Sequence, residues 1–215
     1  ASVTDTGRQI NLDPGFVSPG RLSLATTKNA GHRIPLSDGI YAELTLFYAR
    51  HGVTSFAPTS MTLPYEVLAA AFRTAVRFRD KQPADAASLL GINMEGPFFS
   101  EKKKGAQNAA YLRNPDWEAF QKLADAANGL LRIVDLAPEL PGAVAFAEKA
   151  AKLCTVSAAH TDANYEEASA VFDAGATHLT HLFNAMPGIH HRKPGVIGAA
   201  SERSNVYAEL ICDGQ

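Results

Sequence analysis

The sequence predicts an α/β protein with parallel strands, and three observations lead there. From residue 39 onward, apolar segments of strand length alternate with segments of helical period. Between consecutive strand-like runs lies enough chain for a helical crossover, which parallel neighbours require and a hairpin does not. The polar residues able to do chemistry stand at the C-terminal ends of those runs, just before loops. A doubly wound open sheet and a (β/α)8 barrel both satisfy this alternation.

Taken in order, residues 39–50 predict a helix with Ile40, Leu44, Phe47 and Tyr48 on one face and Asp38 as N-cap. A short strand over 53–57 stops at Pro58. The next helix, 64–78, has Pro64 in its first turn and turns Val67, Leu68, Ala71, Phe72 and Val76 inward. A strand over 89–94 ends in Glu95-Gly96-Pro97. Asn114-Pro115 and Gly129 frame a helix over 117–128, and a strand over 131–137 is closed by Pro138. A helix over 142–153 leads into a strand over 154–159, and a helix over 165–174 ends at Gly175. Strands over 177–182 and 206–212 complete about six β/α steps. Before residue 39 the reading is irregular, with Pro14, Gly15, Pro19, Gly20, Gly31 and Pro35.

At 215 residues, 46% hydrophobic and 20% charged, the chain has the composition of one ordinary globular domain. A formal net charge of −2 gives no electrostatic reason to expect nucleic acid or an anionic membrane as partner. Lys102-Lys103-Lys104 reads as a solvated loop. Cys154 and Cys212 sit inside apolar runs and read as reduced core thiols. No stretch approaches the roughly 20 apolar residues of a membrane span, and no secretory leader opens the sequence, so a cytoplasmic protein is expected.

Glu95, His160 and His181 each fall at the end of a predicted parallel strand. In a parallel barrel such ends share one face, the face on which active sites are built. One carboxylate and two imidazoles suit Zn2+ or a similar divalent ion, leaving positions open for water and substrate. Any one of them alone would serve equally well as a structural residue, and it is their equivalent positions that make a metal site worth expecting. His178, three residues before His181, is expected on the opposite face, toward the helices, with no ligand role. The run His190-His191-Arg192-Lys193 in the following loop could grip an anion or could simply be solvated.

The residues carry a resemblance as well. Met94-Glu95-Gly96-Pro97-Phe98 with Lys103-Lys104-Gly105-Ala106 resembles an HLEGPF…KKGAH segment, and Leu136-Ala137-Pro138-Glu139 resembles TLAPE. Ser157 to Ala163 is similar to SAGHTDAT, residues 174–187 to GATHxTHLFNAMP, and residues 190–198 to HHRxPGxxG. In this order the motifs are those of the N-acetylglucosamine-6-phosphate deacetylases of the amidohydrolase superfamily.

The resemblance implies a (β/α)8 barrel, incomplete here at about six units, with residues 15–215 as the partial barrel and 1–14 as the remnant of a small β-sandwich. It implies hydrolysis of the acetamide of N-acetylglucosamine 6-phosphate by an activated water. Glu95, His160 and His181 would hold a divalent metal, expected to be Zn with Fe, Co, Mn or Ni as alternatives. Ala106, Gln107, Asn184, Ala185 and Arg192 would contact substrate, with Arg192 on the phosphate. The general-base Asp is expected beyond Gln215, and a homo-oligomer, dimer or tetramer, is expected.

There are departures. Gly20 and Leu22 stand where the family carries His-x-His or Gln-x-Asn, so that pair offers no second ion a hold. Gln107 stands where His is usual, so that contact is expected to differ. Six strands leave a barrel edge open, and such an edge invites self-association. A related amidohydrolase acting on another N-acyl substrate, or a non-catalytic remnant binding metal or sugar phosphate, would use the same residues.

Overall fold

A computed structural model describes residues 54–81 and 87–211, and the backbone of four strands between residues 15 and 43. Those four are β1 (Gly15–Ser18) with β2 (Arg21–Leu24), and β3 (Arg33–Ser37) with β4 (Ile40–Glu43), each pair antiparallel. The expected helix over 39–50 is therefore corrected at its start, because Ile40–Glu43 is a strand. Tyr41 pairs with Pro35 and Ala42 with Ile34, and this adjacent partner overrides the helical spacing. Leu44, Phe47 and Tyr48 lie outside the described residues, as do residues 1–14. The stretch before residue 39 that reads as irregular thus contains three strands, the β1–β2 pair and β3.

The rest follows the predicted alternation. β5 (Ser55–Phe56) runs parallel to β6 (Ser88–Leu89). The Asn93 N–H bonds Pro58 O at 3.0 Å and the Ser60 N–H bonds Asn93 O at 2.9 Å, which carries the same adjacency on to β7 (Ile92–Phe98). Next come β8 (Leu131–Leu136), β9 (Thr155–Ala158), β10 (His178–Leu179) and β11 (Tyr207–Ala208), all parallel. Neighbours in space are neighbours in sequence. A doubly wound sheet reverses its order at a switch point, and no reversal occurs among the described strands. This is the strand order of a barrel wall.

Five helices are described: α1 (Tyr65–Arg79), α2 (Trp117–Ala127), α3 (Ala143–Ala150), α4 (Tyr165–Asp173) and α5 (Gly195–Ser201). Local chemistry sets their ends. The Asp116 side chain accepts from the Ala119 N–H at the start of α2, and Asn128 at φ 44° ends it. Asn164 and Glu167 form a reciprocal capping box at α4. Among the described residues no helix is long and apolar enough to cross a membrane.

Register divides the sheet into two chemically distinct faces. Met94, Val134 and Val156 lie in one row and Phe98, Leu136, Ala158 and Leu179 in the next, all facing the helices. There they meet Phe120 and Leu123 of α2, Phe146 and Ala147 of α3, and Val171 of α4, with Phe98 and Phe146 rings 5.0 Å apart. Asp135, Ser157 and His178 share a row on the other face. They are linked there: Thr180 Oγ1 donates to Asp135 Oδ1 at 3.0 Å, Ser157 Oγ lies 2.7 Å from Thr180 Oγ1, and His178 Nδ1 lies 3.1 Å from Ser157 Oγ.

His178 thus faces the polar interior and not the helical layer, a correction to the sequence reading. Counting three residues back from His181 assumes an unbroken strand. In fact β10 stops at Leu179 and His181 has φ 39°, so alternation does not carry through. Burial holds the His178 imidazole at about 4, and Glu209, 3.6 Å away, is itself pushed up to about 7 by burial. Cys154, on the edge of the apolar layer, is a free thiol pushed up to about 12 by burial and by Asp135.

A folded pKa below the unfolded value means that the unfolded chain gains protons first as pH falls. The stability gained by burying neutral His178 is therefore full above about pH 6.5 and is lost as pH falls toward about 4. Between pH 7 and pH 4.5, His178→Asn should lose less stability than wild type, by on the order of 2 kcal/mol in urea unfolding. Parallel losses in the two proteins would contradict this burial.

Candidate metal centre

β7, β9 and β10 deliver Glu95, His160 and His181 to one point at their C-terminal ends. Glu95 lies within β7, whereas His160 and His181 each follow their strand by two residues. Both histidines take left-handed backbone, φ 44° and 39°. That conformation is unfavourable for a side chain with a Cβ and marks a site held by its surroundings. The His160 loop is held by Ser100 N–H bonding His160 O and Thr161 N–H bonding Ala185 O, both at 3.0 Å. Glu139 closes the turn by accepting from the Asp162 N–H at 2.6 Å and from the Thr161 hydroxyl. Next to Glu95, a Cβ on Gly96, which has φ 91°, would lie 2.2 Å from Thr62 Oγ1, so only glycine fits there.

The three side chains are 1% exposed, and their ligand atoms lie within 4.8 Å of one another. His160 Nε2 is 2.9 Å from Glu95 Oε1 and 3.1 Å from His181 Nε2, and His181 Nε2 is 3.6 Å from Glu95 Oε1. His160 Nδ1 lies 2.8 Å from the Lys103 carbonyl, which can only accept, so Nδ1 carries the hydrogen. In the neutral ring Nε2 then offers a lone pair to the centre. Lone pairs brought this close repel unless a proton or a cation lies among them.

Electrostatics agree with the geometry. Burial raises the Glu95 carboxyl, but the hydrogen bonds and charges of His160 and His181 outweigh it and hold it at about 2. Burial disfavours the His181 imidazolium, yet the contact with Glu95 carries it above its ordinary value. Burial, then the charges of Glu95 and Glu209, push Asp135 well above the usual carboxylate range. The centre thus attracts positive charge, and the polar wall beneath it avoids adding negative charge.

The donor set fits a divalent ion. Tetrahedral ligands at Zn bond lengths of 2.0–2.1 Å stand about 3.3 Å apart, the scale of the triangle formed here. Glu95 Oε2 and His181 Nδ1 are buried without a hydrogen-bond partner. An orphaned, buried carboxylate oxygen is the kind of atom that a cation satisfies.

The expected substrate residues lie in the loops that follow β7 and β10. Asn184 and Ala185 occupy the loop directly after His181, where the Asn184 N–H bonds His181 O at 2.9 Å. Ala106 and Arg192 are exposed, and the Arg192 backbone N–H bonds His190 Nδ1. Gln107 differs: it is buried, and its side chain is bonded to Glu95 and to the Thr62 backbone. Sequence reading did not find the Lys103 carbonyl behind His160, because a backbone acceptor has no residue-type signal. Nor did it find Asp135, Thr180 and Glu209 beneath the ligands, although polar residues inside apolar strand runs were a visible clue.

Comparison with known proteins bears on the same residues. A family model described as "Domain of unknown function (DUF4416)" matches residues 1–77, less than half of the chain. A Bacillus subtilis protein named N-acetylglucosamine-6-phosphate deacetylase is 36% identical over 192 residues, 86% of this chain and 48% of that protein. An Escherichia coli O157:H7 protein named N-acetylgalactosamine-6-phosphate deacetylase is 35% identical over 173 residues, 80% of this chain and 46% of that protein. Among solved structures, a mutant N-acetyl-D-glucosamine-6-phosphate deacetylase from Mycobacterium smegmatis, in complex with N-acetyl-D-glucosamine-6-phosphate, is similar at TM-score 0.73 and 34% identity. That match covers 79% of this chain and 44% of that one. The chain spans about half the length of the curated relatives it matches.

Replacing Glu95 with Gln removes the one formal charge of the ligand triangle while keeping its shape. Glu95→Gln should lower Zn2+ affinity by more than about 100-fold, beyond the range typical of an outer-sphere partner. Calorimetric titration of the metal-free protein would measure it, and retained affinity would remove Glu95 from the centre.

Proposed function

The chain belongs to the N-acetylglucosamine-6-phosphate deacetylase family, and on that premise we propose that its protein hydrolyses the acetamide of N-acetylglucosamine 6-phosphate to glucosamine 6-phosphate and acetate. The convergence of Glu95, His160 and His181 at adjacent strand ends is the observation that carries this reading. We infer a closed (β/α)8 barrel for the whole protein, since five parallel strands in chain order, with the segment after β5 bridged to β7, form most of such a wall. The metal is inferred to be Zn, which suits two imidazoles and one carboxylate; Fe, Co, Mn and Ni share that donor preference in part.

A divalent ion at this centre would supply a water of lowered pKa and would polarise the acetamide carbonyl. The chain's own residues prepare for this. The Lys103 carbonyl fixes His160 in the tautomer that turns Nε2 inward. Depression of the Glu95 pKa to about 2 keeps its carboxylate ionised across the physiological range. Ring contacts with Phe99, centroid 4.4 Å from that of His160, cover the imidazole and exclude water from its face. Arg192 is exposed on the loop after His181, where its planar fork would pair with the substrate phosphate.

Acetate release tests the proposal. Metal-loaded protein should deacetylate N-acetylglucosamine 6-phosphate, and a chelator should abolish turnover with recovery on adding Zn2+. Arg192→Ala should raise KM for the phosphorylated sugar about 10-fold or more while leaving the unphosphorylated sugar, already poor, unchanged. Equal turnover of both sugars by wild type would rule out a phosphate grip. Because a relative of comparable identity is named for the galactosamine substrate, both hexosamine epimers belong in the assay.

Metal capture should depend on pH in a definite direction. The His181 proton is held above its ordinary pKa and must leave before its ring can ligate. Apparent Zn2+ affinity should therefore already be falling as pH drops toward about 6.5, the ordinary imidazole value, with protons released on binding. Titration in buffers of different ionisation enthalpy measures that release.

A further inference from the structure

The loop between β7 and α2 presents Gln107 to the metal centre in a way that its substrate-contact reading does not explain. The side chain is 3% exposed, and both ends of its amide are in use. Oε1 accepts the Thr62 N–H at 2.7 Å, and Nε2 donates to Glu95 Oε1 at 3.2 Å. The second Nε2 hydrogen has Met61 Sδ as a weak acceptor 3.9 Å away. The assignment of the two ends is not free. A backbone N–H can only donate, so the amide oxygen must face Thr62, and the NH2 must then face Glu95.

We propose that Gln107 is a positioning residue that clamps the Glu95 carboxylate for metal binding, and that it does not touch substrate; this rests on the metal-centre reading above. Glu95 Oε1 accepts from Gln107 on one side and lies against His160 Nε2 on the other. Two contacts on one oxygen fix the rotation of the carboxylate, while Oε2 stays buried without a partner. Gln107 itself is no ligand, because its only lone-pair atom points away to Thr62. Being neutral, it orients the carboxylate without competing for the ion. To reach a substrate it would have to break both bonds and leave the buried Thr62 N–H unpaired.

The clamp also extends the centre beyond its ligands. Thr62 follows β5, and its hydroxyl is the atom that forbids a Cβ on Gly96. The segment after β5, Gln107 and Glu95 therefore form one hydrogen-bonded chain.

Two variants test the proposal in the purified protein. Gln107→Met keeps the volume and removes both polar ends; Gln107→Glu keeps an acceptor for Thr62 and turns an oxygen toward Glu95. Zn2+ affinity is measured by competition with a chromophoric chelator, ligand geometry by the visible spectrum of the Co2+ form, and KM and kcat separately at saturating metal. The expected result is a 10- to 100-fold loss of Zn2+ affinity in roughly the range of an outer-sphere partner, a shifted Co2+ spectrum, and KM within about twofold of wild type. Should one variant fail to fold, the other decides. Unchanged affinity and spectrum in a folded variant overturn the proposal, above all with KM raised 10-fold or more, the mark of a substrate contact. If wild type takes up neither ion, the metal-centre reading falls and this inference with it; if wild type binds and the variants bind equally, only this inference falls.

Discussion

A buried carboxylate and two buried imidazoles that direct lone pairs at one another are mutually repulsive until something positive joins them. Glu95, His160 and His181 are in that position, with contacts of 2.9, 3.1 and 3.6 Å. The surrounding structure can be understood as what is needed to hold the arrangement. Left-handed backbone at both histidines, the Glu139 latch under the His160 turn, and the Lys103 carbonyl behind the ring each restrict a motion that would let the groups separate. A proton or a divalent ion resolves the repulsion, and the two compete for the same lone pairs.

The wall beneath the centre obeys the same electrostatics. Asp135 is buried near Glu95, and two ionised carboxylates in that environment would repel strongly. The carboxyl of Asp135 instead holds its proton to higher pH and is bonded by Thr180 and Asn93. His178 stays neutral beside Ser157. This face is polar but nearly free of charge, while the opposite face is close-packed aromatic and aliphatic. A parallel strand buried on both sides usually reads as a continuous apolar run. Here Asp135 and Ser157 interrupt such runs, and the interruption locates the interior.

Much of this was legible in the residues. Strand alternation from 88 to 208, the helices at 65–79, 117–127 and 165–173, and the meeting of the three ligands follow from periodicity, caps and position at strand ends. The misreadings have physical causes. Residues 39–50 have a helical spacing of apolar groups, but at 40–43 a strand partner three to ten residues earlier competes for the backbone, and no local pattern reports which wins. His178 was turned the wrong way because alternation was counted through a kink that leaves no trace in residue type. Nor could a local pattern report the burial of Gln107 against Thr62, which joins two segments 45 residues apart.

The left-handed turns at His160 and His181 have one more effect. Each turn comes two residues after a strand, so the ring is aimed by backbone anchored to the wall, and the residues that follow run in another direction. Insertions or replacements beyond Asp162 in one loop and beyond Ala185 in the other, past the bonds that hold the turns, would leave the aim of the imidazoles untouched. Such an arrangement separates what a lineage must preserve from what it is free to revise, and lets new recognition surfaces be tried above an unchanged reactive core.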